Sequence, residues 1–137
     1  MPPQRSGILE HVGTEDGGEV TGDRFDVRIG RRPIGVCHVG AITSFSSPDG
    51  ETSLAPVVLR RAVGRDRTLW EWHTAARDSR TGRVVSITLL TADGQPLVTW
   101  RLEGCRPVRW TGPTLDTMIP AIAFEEMEIA FDRVTWS

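Results

Sequence analysis

The stretch Val57-Val-Leu-Arg-Arg-Ala-Val-Gly-Arg-Asp-Arg-Thr-Leu-Trp-Glu-Trp72 decides the fold. Its first half is apolar and β-branched, which favours a β-strand, and Gly64 ends that strand. Asp66 is a suitable helix N-cap, and residues 69, 72, 73 and 76 then share one face of a helix. The stretch therefore predicts a strand, a tight turn and the start of the single substantial helix of the chain.

The flanking sequence predicts short β-strands. Apolar and polar residues alternate with period two over residues 25–29, 83–91 and 96–103, as in strands that bury one face. Asp93-Gly94 is typical of a hairpin turn. The fold class that follows is mainly β, a β-barrel or sandwich of two packed antiparallel sheets with one flanking α-helix. Further strands are predicted over residues 34–39, 41–45, 54–63, 105–110 and 122–131.

The 137 residues suit one domain. Residues 1–22 are rich in glycine and charge and poor in apolar side chains, which predicts a flexible N-terminal arm. Residues 23–137 are then a single β domain. The start of the chain lacks the apolar run of a signal peptide, so we expect synthesis in the cytoplasm. The sequence has no run of about 18 apolar residues, so we expect no membrane insertion.

Charge argues against nucleic acid as a partner. The chain has 16 basic residues, all of them arginine, and 18 acidic residues, which give a net charge of −2. Nucleic-acid-binding domains usually carry a basic excess, so we expect no direct and specific nucleic-acid recognition. The two cysteines, Cys37 and Cys105, do not make a disulfide scaffold and are interpreted as small core hydrophobes.

No pattern in the sequence predicts an active site. The Cys-His dipeptide at 37–38 is not a metal-binding spacing, because adjacent strand residues point to opposite faces. A nucleophilic pair of Cys105 and His73 stays open, although no third, orienting group is evident. Glu126 and Glu128 share one strand face, which we interpret as a solvated or interface face matched by arginines. We expect no enzyme activity, no cofactor and no metal.

Tryptophan and arginine mark candidate contact surfaces. Trp72 and Trp100 fall on apolar faces and are expected in the core. Because neighbouring residues of a strand point to opposite sides, one member of the Arg60-Arg61 pair can meet another subunit. The tryptophans expected to be partly exposed are Trp70, Trp110 and Trp136.

Five motifs along residues 24–134 occur in an order that resembles one known family. They are Phe-x-Val-x-Ile-Gly at 25–30, Leu-Arg-Arg-Ala-Val with Leu-Trp-Glu-Trp at 59–63 and 69–72, a hairpin over 87–102 with Gly94, Pro96 and Trp100-Arg-Leu102, Pro-Val-Arg-Trp-Thr-Gly-Pro at 107–113, and Glu-Glu-Met-Glu-Ile at 125–129. In the last motif Met127 and Ile129 replace leucines. Together the motifs resemble the tail-tube proteins of contractile-tailed phages and of phage-derived contractile injection systems.

The resemblance implies a small barrel-like fold of two packed sheets and one helix, in a structural subunit without catalytic activity or cofactor. Such subunits form six-membered rings, and the rings stack into a hollow inner tube inside a contractile sheath. The implied partners are further copies of the chain and other tube, sheath and baseplate or spike proteins, with a lumen that can hold cargo. A phage tail and an injection system both stay open as the host particle.

One segment departs from the family pattern. The loop that contributes to contacts between stacked rings is short here, residues 45–53, and lacks the family's Glu-Tyr-Arg-Glu-Gly-Gly run. The chain is therefore expected to form either the main tube or a tube-initiator ring near the baseplate. A monomeric, ligand- or carbohydrate-binding β-sandwich is the alternative function, and a Cys105-dependent hydrolase is a third. The expected subunit or ring interface residues are Asp49, Glu51, Arg60, Arg61, Trp70 and Arg109.

Overall fold

The computed structural model describes residues 24–36, 38–76, 82–119 and 121–137. The predicted arm over residues 1–22 and Cys37 lie outside the described residues. Within the described ranges there are ten β-strands and one α-helix. In chain order they are β1 (Phe25–Ile29), β2 (Arg32–Ile34), β3 (His38–Val39), β4 (Ser44–Ser46), β5 (Thr52–Leu54), β6 (Val57–Ala62), α1 (Thr68–Ala75), β7 (Arg83–Leu90), β8 (Pro96–Thr111), β9 (Phe124–Ala130) and β10 (Arg133–Trp136).

Two antiparallel sheets share the long strand β8. The strand order is β2-β1-β7-β8-β9-β6-β3, β10 also pairs with β8, and β4 and β5 form a separate hairpin. β8 pairs with β7 through residues 96–105 and with β9 through residues 106–111, so its two halves belong to different sheets. The predicted fold class, two packed antiparallel sheets with one flanking helix, is confirmed.

One core lies between the sheets because the inward positions of facing strands are apolar. In β6, Val57 and Leu59 are buried, and they lie opposite Ile129 and Met127 of β9. Fully burying a side chain of this size stabilises the fold by about 1.5–3 kcal/mol. The other buried apolar residues are Val27, Ile29, Ile34, Leu69, Trp72, Val85, Ile87, Leu102, Cys105 and Phe131.

β8 passes from one sheet to the other at a tight corner around Gly104. Gly104 has φ +69°, a left-handed conformation that costs other residues about 1–2 kcal/mol. A Cβ at Gly104 would collide with the Asp132 carboxylate, and a Cβ at Gly82 would lie 2.6 Å from the Gly104 Cα. Arg106 Nη1 forms an ion pair with the same carboxylate, 3.0 Å from Asp132 Oδ1. Three backbone segments therefore meet closely where the sheet folds over.

The helix α1 packs against β8 and buries Leu69 and Trp72 in the core. An eight-residue helix is not stable alone in water, so this packing is what holds it. Trp72 is buried and Trp100 half-buried against the core, as predicted. Trp70 and Trp136 are exposed, also as predicted.

The predicted strand boundaries are wrong where the chain bends. The predicted strand over 54–63 is two strands, because β5 ends before Pro56 and β6 begins after it. The predicted strands over 96–103 and 105–110 are the single strand β8, because Gly104 turns the chain without ending its pairing.

Smaller errors affect three other predicted strands. The predicted strand over 34–39 is divided between β2, which ends at Ile34, and β3, which begins at His38. The strand predicted over 41–45 is the shorter β4, and the one predicted over 122–131 begins only at Phe124. The sequence did not predict β10, a four-residue strand held by pairing to β8 and by the Trp136 ring against Trp100, with centroids 5.1 Å apart.

Candidate functional site

Arg61 is the centre of a buried polar cluster where β6 leads into α1. It follows Val57 and Leu59 on the inward face of β6, and it is only 4% exposed. Its Nε donates to Glu125 Oε2 at 2.9 Å, and Nη1 and Nη2 donate to the carboxylate and the backbone carbonyl of Asp66, at 3.2 and 2.6 Å. Both Arg61 and Glu125 are removed from water, so loss of one would leave the other charge uncompensated.

Asp66 joins this cluster to the start of α1. Its Oδ1 accepts hydrogen bonds from the Thr68 N–H at 3.0 Å and from the Thr68 hydroxyl at 2.5 Å. The bond from the Thr68 hydroxyl is the main cause that holds the pKa of Asp66 below its usual value, and the Arg61 guanidinium lowers this pKa further.

The N-cap prediction for Asp66 is wrong by one residue. The helix begins at Thr68, and Arg67 occupies the N-cap position without a side-chain capping bond. The Asp66 carboxylate nevertheless satisfies the first helical N–H, because an aspartate side chain readily bonds the backbone two residues on.

Trp110 and Trp70 extend the cluster to the surface. Trp110 Nε1 donates to Glu125 Oε1 at 2.9 Å, and the Trp110 ring meets the Trp70 ring edge to face, with centroids 4.7 Å apart. Both Glu125 oxygens accept hydrogen bonds within the subunit, so this carboxylate ties Arg61 to Trp110. An open cleft of about 350 Å³ lies here, lined by Val63, Gly64, Asp66, Arg67, Trp70, Trp110, Pro113 and Glu125.

Arg60 and Arg109 lie on the outer face of the sheet formed by β6, β8 and β9. The Arg60 guanidinium lies 4.1 Å from the centroid of the Phe124 ring and 3.8 Å from the Glu126 carboxylate. Arg109 is exposed and lies opposite Glu128 on β9. This face therefore carries both signs of charge, and Glu126 and Glu128 are matched by arginines, as the sequence predicted.

Asp49 and Glu51 lie at the exposed tip of the hairpin formed by β4 and β5. Asp49 accepts hydrogen bonds from the Ser47 hydroxyl and, at 3.3 Å, from the Glu51 N–H. The Ser47 bond is the main cause that lowers the pKa of Asp49, so this carboxylate is ionised at neutral pH.

The six predicted interface residues therefore lie on three separate surfaces. Arg61 and Trp70 belong to the strand–helix junction, Arg60 and Arg109 to the outer sheet face, and Asp49 and Glu51 to the hairpin tip. Of the two adjacent arginines, Arg60 reaches solvent, whereas Arg61 forms its ion pairs with Asp66 and Glu125 of the same subunit. Their part in an interface stays a prediction.

Sequence reasoning missed the most exposed apolar segment among the described residues, which lies in the connection from β8 to β9 and holds Leu115, Met118, Ile119 and Ile122. Leu115 and Met118 are 80% and 85% exposed, and Ile119 and Ile122 are exposed as well. The prediction placed Ile122 in a strand. The available signal was a group of apolar residues, between Pro113 and Pro120, that follows neither a helical nor a strand period.

The Cys105 thiol is packed as a core group. It is 1% exposed, its Sγ donates to the Leu102 carbonyl at 3.3 Å, and burial raises its pKa to about 11. A protonated, enclosed thiol is a poor nucleophile, which argues against the hydrolase alternative with His73. Across the described ranges, no group of three or more His, Cys, Asp or Glu residues is placed to hold a metal ion. The described part of the chain also has no helix long and apolar enough to cross a membrane.

Comparison with known families and structures gives one family match. The model of a family described as T4-like virus tail tube protein gp19 matches residues 41–135. No curated protein matches the sequence.

Several solved structures share the fold. A chain of an extracellular contractile injection system, from the PVC sheath–tube complex in its extended state, has a TM-score of 0.71 at 20% identity, covering 89% of this chain and 93% of the other. A chain of the anti-feeding prophage (AFP) tube terminating cap has a TM-score of 0.72 at 18% identity, covering 93% and 95%. Hcp1 from Flavobacterium johnsoniae has a TM-score of 0.64 at 13% identity, covering 82% and 93%. At these identities the likeness shows a common fold.

Proposed function

Because the chain belongs to the T4-like virus tail tube protein gp19 family, we propose that its copies assemble into hexameric rings that stack into a hollow inner tube. The observation that carries this proposal is the family match over residues 41–135, which spans the helix-bearing stretch and the strands β8 and β9. The fold shared with a chain of a sheath–tube complex supports it. In this role the subunit is structural, without catalytic activity or cofactor.

Open strand edges supply one means of ring closure. Among the described residues, β2 and β3 are the two ends of the strand order, and β3 covers only Leu59 and Arg60 of the six-residue β6. Open edges offer backbone donors and acceptors to another strand. Pairing of such edges between neighbouring copies would satisfy these groups, and a cyclic arrangement would repeat the same contact around a closed ring.

The predicted interface residues enter this assembly in different ways. Arg60 and Arg109 present charge on the outer sheet face, and Trp70 presents an aromatic edge at the cleft. Aromatic residues and arginine are enriched at protein interfaces, which supports direct contacts for these three. Arg61 acts from inside the subunit, where it fixes the strand–helix junction that presents Trp70.

The proposed role as a tube subunit also suggests the particle to which the chain belongs and its partners there. The proposed partners are other tube proteins, a contractile sheath and a baseplate or spike, in a phage tail or a phage-tail-like injection system. The main tube and a specialised ring, such as a tube initiator near the baseplate, are two forms of this function. The short hairpin of residues 44–54 motivates the second form.

The mass of the purified chain in solution tests the proposal. Size-exclusion chromatography with light scattering should give a species of six times the mass of one chain, or larger multiples of that species. A monomer at every concentration, from micromolar to millimolar, would contradict the proposal. A monomer is the result that the ligand- or carbohydrate-binding alternative requires.

A further inference from the structure

The inward face of the sheet formed by β1, β7, β8 and β10 is incompletely covered at one end. Near the corner of β8, its inward residues Val85 and Leu102 are fully buried. At the other end of the same strands, Phe25, Leu89 and Val98 lie opposite one another and are only half-buried. The core therefore covers this sheet near the corner and leaves its far end partly open to water.

Two tryptophans extend this open end. Trp100 is half-buried, and Trp136 lies opposite it on β10 and is 73% exposed, more than any other aromatic residue in the described ranges. Phe25, Leu89, Val98, Trp100 and Trp136 are called here the apolar row. Single exposed apolar residues are ordinary, but a group of them on one face marks an interaction site.

The chain enters the sheet directly beside the apolar row. The Arg24 carbonyl accepts a hydrogen bond from the Leu90 N–H at 2.9 Å, which holds residue 24 against the sheet next to Phe25 and Leu89. Residues 1–23 are therefore joined to the domain at the uncovered end of the sheet and not at the corner of β8.

Residues 1–23 offer one group of large apolar side chains that can reach the apolar row. Ile8, Leu9 and Val12 lie within five residues, and eleven residues, four of them glycine, separate Val12 from Arg24. A flexible linker of this length has an r.m.s. span of about 17–20 Å. The apolar row crosses four neighbouring strands, a width of about 14 Å. The linker is therefore long enough to place the group over any residue of the row.

Charge does not oppose this contact. Residues 1–23 hold one arginine and five acidic residues, whereas residues 24–137 hold fifteen arginines and thirteen acidic residues, so the two parts differ in the sign of their net charge. Arg24, before β1, and Asp93, in the turn after β7, are exposed at the end of the row and offset each other. The charged residues on the opposite face of the same strands are Asp26, Arg28, Arg101, Glu103 and Arg133. The attraction is therefore apolar.

The short linker favours the row of the same subunit over that of another copy. A segment tethered by a short flexible linker has an effective concentration on the order of millimolar at a site within its reach. Free copies of the chain must exceed that concentration to compete for the same site.

We propose that residues 8–12 dock on the apolar row of their own subunit, where Ile8, Leu9 and Val12 cover Trp136 and its neighbours. The contact removes the row from water and withholds it from contacts between copies. This inference goes beyond the proposed function and holds whether or not the chain forms rings.

Photo-crosslinking from residue 9 locates the contact. Leu9 is replaced by benzoylphenylalanine, and light and heavy isotope-labelled copies are mixed before irradiation. The expected products are crosslinks between residue 9 and peptides that contain residues of the apolar row, with both ends carrying the same isotope. Crosslinks that join light to heavy chains, that map to another part of the chain, or that do not form at all would overturn the proposal.

Hydroxyl-radical labelling read by mass spectrometry tests whether the contact covers Trp136. The variant Ile8→Asp/Leu9→Asp should raise the oxidation of Trp136 at least threefold and leave that of Trp70, which lies on the helix, unchanged. The matched control is Thr14→Asp/Thr21→Asp, which adds the same charge to the segment and should leave Trp136 as protected as in the wild type. Circular dichroism checks that both variants keep the fold.

The outcomes separate this inference from the proposed function. Equal oxidation of Trp136 in the wild type and in Ile8→Asp/Leu9→Asp would overturn the docking of residues 8–12, and rings formed by the same samples would leave the proposed function standing. A wild-type chain that stays monomeric but gives the same-isotope crosslinks would overturn the proposed function and support the docking.

Discussion

At the scale of single residues, Arg61 and Arg60 show how one position along a strand changes the role of the same side chain. Arg61 follows Val57 and Leu59 on the inward face, where it bonds Glu125 and Asp66. Arg60 points to the outer face and is 44% exposed at its side chain. Because neighbouring strand residues point to opposite faces, Arg61 is buried and stabilises the fold, whereas Arg60 faces solvent.

Replacing Arg61 by alanine should destabilise the fold strongly. The change leaves Glu125 buried without its partner, which costs about 3–5 kcal/mol, whereas Arg60→Ala removes an exposed pair worth about 1 kcal/mol or less. Urea denaturation of both variants measures the difference. An Arg61→Ala variant that loses no more stability than Arg60→Ala would show that the buried cluster does not hold the junction.

Asp66 should give the fold an acid-sensitive contribution to its stability. The pKa of its carboxyl is lowered by the Thr68 hydroxyl and by Arg61, so folding favours the ionised form. The folded pKa lies below the ordinary value of 3.8, so this stabilisation is fully present above that value and is lost as the pH falls through the folded pKa. Free energies of unfolding measured from neutral to acidic pH should fall less steeply in Asp66→Asn. The pKa values of Asp49 and Asp93 are also lowered, so the free energy of unfolding of the variant should still fall somewhat with decreasing pH. If the free energy of unfolding of Asp66→Asn fell with pH as steeply as that of the wild type, Asp66 would not be the source of the acid-sensitive stability.

At the scale of elements, the corner in β8 decides how the two sheets are joined. Gly104 is left-handed, a Cβ added to it would collide with Asp132, and a Cβ added to Gly82 would collide with the Gly104 backbone. The corner allows one 16-residue strand to pair with β7 and then with β9. The geometry depends on the absence of a side chain at residue 104.

Gly104→Ala should therefore destabilise the fold by more than about 2 kcal/mol, since left-handed strain and the collision with Asp132 add. The matched control is Gly35→Ala, where a Cβ would have nothing within 4 Å, and a change within about 0.5 kcal/mol is expected. Thermal unfolding of the two variants gives the comparison. Equal melting temperatures would show that the corner tolerates a side chain.

The strand alternation was readable from the sequence, but the ends of the strands were not. Strands over residues 25–29 and 83–91 were predicted because one side of each is apolar, and the second ends one residue earlier, at Leu90. The continuity of β8 was missed, since a glycine inside a strand pattern signals a break as readily as a bend. The short β10 depends on pairing with β8, which is far away in the sequence and so leaves no local pattern.

The exposure of the candidate surface residues was predicted only where the period of a helix or strand fixes the direction of a side chain. The sequence placed Trp70 on the side of the helix away from the core, because helical spacing fixes that direction. It left open which of Arg60 and Arg61 faces inward. Extending the period-two pattern from Val57 and Leu59 would have pointed to Arg61. The missing period placed Leu115 and Met118 outside helices and strands but did not settle their exposure, because apolar residues without a period are also found in cores.

At the scale of the whole molecule, the order of five motifs identified the family before any contact was known. Each motif combines turn residues with core positions of particular strands, so the set describes one arrangement of the chain in space. The family match over residues 41–135 and the shared fold with a PVC sheath–tube chain agree with that order.

Electron microscopy of the purified wild-type chain tests the central claim most directly. Two-dimensional class averages of the end-on views should show rings with six-fold symmetry and an open centre, and side views should show those rings stacked. Averages that contain only particles of a single subunit, under conditions where the chain is folded and concentrated, would contradict the claim that this protein is a self-assembling tube subunit.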